Sequence, residues 1–365
     1  MLLKLNGFSV LMTTDCVGGI FTQTLALARD WIGRGAHVIV ATIGPVPRAD
    51  QISEIASSGA EWVALDGVLD WMADSENDIA TTAHAIEQLA RQRRVQSVHL
   101  HAPAYAAFGF PWPHVAACHS CQATWWNALH RGEPLPAEFA WRAHLTGRGL
   151  CRADDTIAPS HSFATELTTT YRLARTPVPI PNGQDASPCA PARLRQGVVA
   201  AGRFWDDAKN LTGLRAIATG IQGTLVAFGV APEILPDIHT SHFRPIGPTS
   251  RAEVLETFAG SQIFVSAALY EPFGLTTLEA AQAGLALVLS DIPAHRENWD
   301  GVAIFRDCHD HVGFARTINQ LLAHPDEAEE RGLSAQQRAR AFSAARMGEA
   351  TALTHLNPRK GQMAA

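Results

Sequence analysis

The chain has 365 residues, of which 47% are hydrophobic and 18% charged, with a formal net charge of -6. That length carries two ordinary domains, each able to bury its own core. Division near Ile180 leaves 13 basic against 16 acidic residues before it and 16 against 19 after it, so neither half binds nucleic acid by bulk charge.

In chain order, the opening residues MLLKLNGFSVLM hold one lysine and an apolar run broken by Asn6 and Gly7, without a small-residue cleavage pattern, and read as a first strand and not a signal peptide. There is no 18-residue apolar stretch, so membrane contact, if any, is peripheral. Phe8 to Thr13 is strand-like, and Asp15-Cys16-Val17-Gly18-Gly19 leads into a helix carrying Ile20, Leu27, Trp31 and Ile32 along one side. Gly33 and Gly35 end that helix, and His37 to Thr42 is the next strand, which completes a βαβ unit. Gly18 and Gly19 allow a backbone to approach a ligand closely, but the dinucleotide and P-loop fingerprints are absent, and by themselves the pair is better explained by a tight turn. Residues 51–95 offer two further helical stretches, the second ending in Arg91-Gln92-Arg93-Arg94, a solvated helix end.

Val98 to His101 and His114 to His119 then read as two strands, each with a histidine at its carboxyl edge, where α/β sites gather. His119 is the stronger candidate and His101 the weaker; a structural histidine bonded to backbone is the alternative for both. Cys118 and Cys121 flank His119, but with no second C-x-x-C they read as buried thiols and not as a zinc or redox pair. Six irregularly spaced cysteines suit a reducing cytoplasm. Trp125, Trp126, Trp141, Arg131, Arg142 and Arg148 crowd the next segment, as a stacking surface for a sugar or as core. Thr156 to Ala158 is a short strand, and Ser160 caps the helix after it.

Thr176 to Gly183 (TPVPIPNG) disfavours helix and supplies a turn, so the domain boundary is placed at 180/181, with domains over 1–180 and 181–338. Gly197 to Ala201 opens the second domain as a strand and leads into Gly202-Arg203-Phe204-Trp205-Asp206-Asp207-Ala208-Lys209. Only three of the 29 basic residues are lysines, so a lysine six residues after this arginine, between a strand and a helix, is a pointed choice. A surface ion pair with Asp206 or Asp207 is the alternative. Strands at Thr224 to Phe228 and Phe243 to Ile246 follow, then a capping box at Ser250-x-x-Glu253 that opens a helix to about Ala259. Ile263 to Val265 is a buried strand; Pro272 and Gly274 break the chain, a helical pattern runs from about Thr276 to Gly284, and Leu287 to Ser290 is the next strand. A strand-loop-helix of this kind favours a phosphate at the helix N-terminus. Glu271 and Glu279 flank it, and since acids repel an anion they suit hydroxyl groups attached to the phosphate. For Glu279 a capping box with Thr276 is equally open.

Glu271-Pro272-Phe273-Gly274-Leu275-Thr276-Thr277-Leu278-Glu279 resembles the E-x7-E signature of the retaining nucleotide-sugar glycosyltransferases of family 4, which have the GT-B fold. The resemblance implies two doubly wound α/β domains facing each other across a cleft, with a C-terminal segment, 339–365, crossing back onto the first. It implies that Arg203 and Lys209 bind the donor diphosphate, one residue further apart than is usual. Glu279 would hold the ribose and Glu271 a sugar hydroxyl; Phe273, Gly274, Leu275 and Thr276 would line the donor site. Gly18 and Gly19 match the N-terminal glycine loop, and His119 the histidine beside the sugar. The implied activity is transfer of a hexose-type sugar from a nucleoside-diphosphate sugar to a hydroxyl of a glycan, a lipid-linked sugar or a small molecule, with retention. The family needs no metal or cofactor, in line with the absence of D-x-D. An epimerase of the same fold, a nicotinamide oxidoreductase and a non-catalytic sugar-nucleotide-binding protein are the rivals. Products formed without an acceptor would mark the first, and the missing glycine fingerprint weighs against the second.

Overall fold

The computed structural model describes residues 3–185, 195–234 and 238–359. Short continuous apolar runs make the strands, as a parallel sheet covered on both faces requires. In the first unit these are β1 (Ser9–Thr14), β2 (His37–Thr42), β3 (Glu61–Ala64), β4 (Ser97–Leu100), β5 (His114–Ala117), β6 (Asp155–Ala158) and β7 (Val178–Pro179), ordered β3-β2-β1-β4-β5-β6-β7 with every pairing parallel. Along β1 the side chains alternate between layers: Val10 and Met12 enter one core and Leu11 the other.

The second unit repeats the logic with β8 (Val198–Ala201), β9 (Leu225–Phe228), β10 (Phe243–Ile246), β11 (Ile263–Ser266), β12 (Ala286–Ser290) and β13 (Ile304–Arg306), ordered β10-β9-β8-β11-β12-β13, again all parallel. Ile263, Val265 and Val288 face one core; Phe264, Leu287 and Leu289 face the other. In both sheets the winding reverses beside the first strand, between β1 and β4 and between β8 and β11. Ligands of doubly wound sheets bind at such a reversal, outside the carboxyl ends of the strands.

The first unit comprises residues 1–184 and 344–365, the second 185–343. The division falls a few residues beyond the proline run because that run is tied into the first unit: Ile180 N–H donates to Ala158 O at 2.8 Å, and Gly183 N–H to Met347 Sδ at 3.2 Å. At the other end the tail is two helices, Pro325–Ala339 in the second unit and Ala344–Leu356 in the first. The latter packs on the helix Gly19–Gly33, where Trp31 Nε1 donates to Gly348 O at 2.8 Å. A side chain at position 348 would collide with the Asp30 carboxylate, so only glycine permits this approach.

Candidate functional site

At the reversal point of the second sheet, the chain leaves β8 through Gly202 and Arg203. Gly229, at φ +87°, brings its own loop against this one: a Cβ there would lie 2.2 Å from Gly202 O. Phe204 N–H donates to Gly229 O at 3.1 Å and fixes the contact. A short 3-10 turn, Asp207–Lys209, is capped by Asp206, whose Oδ1 accepts from Ala208 N–H at 3.0 Å. Asn210 ends it in the left-handed region and donates from Nδ2 to Ala267 O at 2.9 Å, while Leu269 N–H donates to Ala208 O at 2.8 Å. The loop after β8 is thereby sewn to the loop after β11.

That stitching sets the Lys209 ammonium against Glu271, with Nζ to Oε2 at 2.7 Å and both side chains less than one-fifth exposed. Burial alone would raise the Glu271 carboxyl, but Lys209 beside it, with smaller contributions from His295 and Arg203, holds it below the ordinary range. Arg203 is more open, its guanidinium 5.3 Å from the Trp205 ring centre and 3.9 Å from Asp206 Oδ2. Of the two alternatives weighed for this pair, the ion pair with Asp206 therefore holds loosely for Arg203, whereas Lys209 pairs with Glu271.

Gly274, at φ +90°, is the N-cap of the helix Leu275–Gln282; it supplies no side-chain cap, and the first turn carries no acid. Thr276 thus lies inside the first turn, and the capping box with Glu279 does not form. The Glu279 carboxylate accepts instead from Arg251 Nε at 2.7 Å. Phe273 is buried against Phe342, 5.5 Å between ring centres, so its side chain is core, and its carbonyl accepts from Asn298 Nδ2 at 3.2 Å. The second sheet's edge therefore unites Arg203, Lys209, Glu271, Gly274, Leu275, Thr276 and Glu279.

Two residues at this edge escaped the sequence reading. Arg251 follows the Ser250 cap, a position that marks a helix start and gives no hint of a partner in another helix. His295 is fully buried, and its Nδ1 lies 3.0 Å from Ser290 O. A carbonyl only accepts, so Nδ1 carries the proton, and Nε2 is left without a partner among the described residues. Burial lowers the His295 imidazole despite the nearby Glu271 charge.

Gly18, Gly19 and His119 belong to the first unit. Asp15 Oδ1 accepts from Val17 and Gly18 N–H at 2.8 and 3.1 Å, a turn that delivers Gly18 as the N-cap of the helix Gly19–Gly33. Gly18 is extended there, at φ -145°, a conformation open to any residue. His101 and His119 leave the neighbouring strands β4 and β5 and meet, Nδ1 to Nε2, at 2.9 Å. Burial pulls His119 down to about 4 and His101 well below the ordinary range, so both are neutral near pH 7.

Cys118 and Cys121 are free thiols, the first buried and the second partly so. Cys121 is the N-cap of the helix Gln122–Leu129, and Tyr171 Oη donates to its sulfur at 3.2 Å. Burial alone would raise it, but the hydrogen bonds from Cys118, Thr124 and Tyr171 bring it down to about 6. Cys118, whose thiol hydrogen-bonds to Cys121 and is buried, is pushed well up. Among the nearby aromatics, Trp126 stacks on His130 at 3.8 Å between ring centres and Arg142 lies over Trp141 at 4.6 Å.

The family model described as "Glycosyltransferase Family 4" matches residues 17–187, and that described as "Glycosyl transferases group 1" matches residues 195–324. A glycogen synthase of Mycobacterium tuberculosis is 26% identical over 390 residues, covering 95% of this chain and 92% of the relative. An alpha-maltose-1-phosphate synthase of Mycolicibacterium smegmatis is 31% identical over 117 residues, 30% of each chain. Among solved structures, sucrose-phosphate synthase of Thermosynechococcus elongatus superposes with a TM-score of 0.75 at 17% identity, covering 96% of this chain and 99% of that one. HepE of Anabaena, solved in complex with UDP and glucose, superposes with a TM-score of 0.76 at 15% identity, covering 95% and 99%. Two parallel doubly wound sheets, matched in turn by the two family models, make this chain a glycosyltransferase of family 4, group 1, with the GT-B fold.

Proposed function

We propose that the protein moves a hexose-type sugar from a nucleoside-diphosphate sugar to a hydroxyl acceptor, with retention and without a metal ion. The observation that carries this reading is the convergence of Arg203, Lys209 and Glu271 beside the uncapped helix start at Gly274. When the glycosidic bond to the diphosphate breaks, negative charge grows on the leaving phosphate oxygens. Two cations, Lys209 fixed by Glu271 and the more open Arg203, and a helix N-terminus stabilise that charge where it develops, each cation contributing about 2–4 kcal/mol to the transition state.

Glu271 has two tasks in this reading. It holds the Lys209 ammonium in place, and its remaining lone pairs accept from a sugar hydroxyl. Glu279, oriented by Arg251, accepts from the ribose hydroxyls. His119, neutral, bonds a substrate hydroxyl. The acceptor attacks from the face that the diphosphate leaves, and the departing phosphate oxygen takes the acceptor's proton, so Glu271 is not a nucleophile. Support for a nucleotide donor comes from HepE, which was solved with UDP and glucose. The acceptor, whether a glycan, a lipid-linked sugar or a small molecule, would be chosen by the first unit, and the five free cysteines among the described residues suit a cytoplasmic enzyme. Membrane contact would be peripheral: no helix among the described residues is long and apolar enough to cross a bilayer.

The test is a thermal-shift panel of UDP-, GDP- and ADP-sugars on wild type and Lys209→Ala, followed by analysis of the product anomer with and without EDTA. One nucleotide class should stabilise wild type and not the variant, with a retained anomer and no effect of EDTA. Indifference to every nucleotide sugar would overturn the reading.

A further inference from the structure

Four imidazoles of the first unit stand in a row: His119, His101, His99 and His355, with ring centres 5.1, 4.6 and 5.2 Å apart in turn. His99 lies on β4 and His101, two residues on, just past its end, so their rings meet on one side of the sheet, and His355 comes from the helix Ala344–Leu356. All are neutral at pH 7, since burial lowers each of them. A neutral imidazole has one N–H, so each hydrogen bond in the row constrains the next, and the protons can be counted from the ends.

One end is Thr24. Its Oγ1 lies 2.8 Å from Ile20 O, and a carbonyl has no proton to offer, so the threonine hydroxyl donates there. His101 Nε2, 2.9 Å from the same Oγ1, must therefore bring its own proton. That leaves His101 Nδ1 bare, and the 2.9 Å contact to His119 Nε2 takes its proton from His119. His119 is then the Nε2–H tautomer, and its Nδ1 is a lone pair with no hydrogen-bond partner among the described residues. The other end gives a second, separate chain. Ser97 Oγ donates to Pro113 O at 2.9 Å, so His355 Nδ1 donates to Ser97 at 2.7 Å and His99 Nδ1 donates to His355 Nε2 at 3.0 Å. His99 Nε2 ends that chain bare and unpartnered, and the row is thus two chains that do not exchange a proton.

We propose that Thr24 and His101 are positioning residues that lock His119 as the Nε2–H tautomer, so that its Nδ1 meets the substrate only as an acceptor, matched to a hydroxyl donor. The match to a hydroxyl rests on the transferase reading; the tautomer does not. Either of two carbonyl-anchored hydroxyls could have been lost in a chain that merely needed buried histidines, but a defined lone pair at His119 needs the whole path back to Ile20 O.

The experiment is a two-bond 1H–15N correlation of [15N]histidine-labelled protein at pH 7. Wild type should show His119 with a pyridine-like Nδ1 and a protonated Nε2. Thr24→Val, close in volume, removes the acceptor for His101 Nε2–H and releases His101 to the opposite tautomer; His119 should then shift toward Nδ1–H, while Thr24→Ser keeps the wild-type pattern. Once a donor is identified, Thr24→Val should lower kcat/KM roughly three- to tenfold, one neutral hydrogen bond's worth, with nucleoside diphosphate affinity unchanged. A protonated Nδ1 in wild type, or a Thr24→Val spectrum identical to wild type, overturns the lock; a shifted tautomer with unchanged kcat/KM overturns the match to a hydroxyl. Should no nucleotide sugar bind at all, the transferase reading fails on its own while the spectrum still decides the tautomer.

Discussion

The two sheets carry the same winding and place their polar residues at the same topological point, yet they solve opposite electrostatic problems. At the reversal of the second sheet, Lys209 at 2.7 Å holds the buried Glu271 carboxyl ionised, with a smaller contribution from Arg203. At the corresponding edge of the first sheet, burial keeps every histidine neutral, and what is specified there is the direction of each N–H. An edge of ionised groups whose cations sit beside an uncapped helix start suits a group that becomes more negative during the reaction, whereas a neutral, oriented edge suits hydroxyl groups.

The contrast breaks most sharply on the charged side. Arg203→Ala and Lys209→Ala should each lower kcat by about 10²–10³-fold, the size of losing one preorganised charge contact, while His119→Ala should cost less than either. Steady-state kinetics on the three variants test this ranking. Next in size is acid sensitivity. The histidines have folded values below their unfolded one, so their contribution to stability is complete above about pH 6.5 and is lost as the pH falls toward the value of about 4 for His119 and about 3 for His355. The Glu271 carboxyl is also depressed, so its contribution is complete above the ordinary glutamate range and is lost only below it. Thermal midpoints from pH 8 to 4 should therefore decline from about pH 6.5 onward, and Glu271→Gln, which lowers the whole curve by stranding Lys209, should change its slope only in the most acidic part. A flat profile down to pH 5 would contradict the neutral assignment.

Cys121 sharpens the comparison, because it is a partly buried thiol of the first unit whose hydrogen bonds favour the charged form. Alkylation by iodoacetamide should label Cys121 at near its full rate at pH 7, while buried Cys118 stays unlabelled. Tyr171→Phe removes one donor to the sulfur and should move the labelling profile to higher pH. The smallest effect expected is that of Arg251→Ala. It leaves Glu279 in place but unoriented, so KM for the donor should rise severalfold with little change in kcat, the cost of about 1 kcal/mol of uniform binding.

Much of this architecture was legible because a buried parallel strand is a short apolar run that needs no partner to be seen. His37 to Thr42 and Phe243 to Ile246 begin and end where the pattern places them. β3 escaped the reading of residues 51–95 because it is an edge strand of four residues in which half-buried Glu61 and Val63 alternate with exposed Trp62 and Ala64, a mixed pattern without an apolar run. β13 is only three residues, Ile304–Arg306, too short to show a period. At the site, the loop residues stood out through rare residue types, a lone lysine and a proline-glycine break. Partner choice did not stand out. Whether Glu279 closes its own helix or bonds Arg251 depends on the placement of a second helix, and the start of its own helix at Gly274, two residues before Thr276, decides it. The tautomer chain was hidden for the same reason: Thr24 is an ordinary helical residue until the fold sets it 2.9 Å from His101.

Isothermal titration of nucleoside diphosphates into wild type and Lys209→Ala tests most directly whether the charged edge exists to hold a diphosphate. One nucleotide should bind wild type and lose roughly ten- to hundredfold in affinity in the variant, the range of a charge-assisted hydrogen bond. Equal affinity in both proteins, or no binding of any nucleoside diphosphate to wild type, would contradict it.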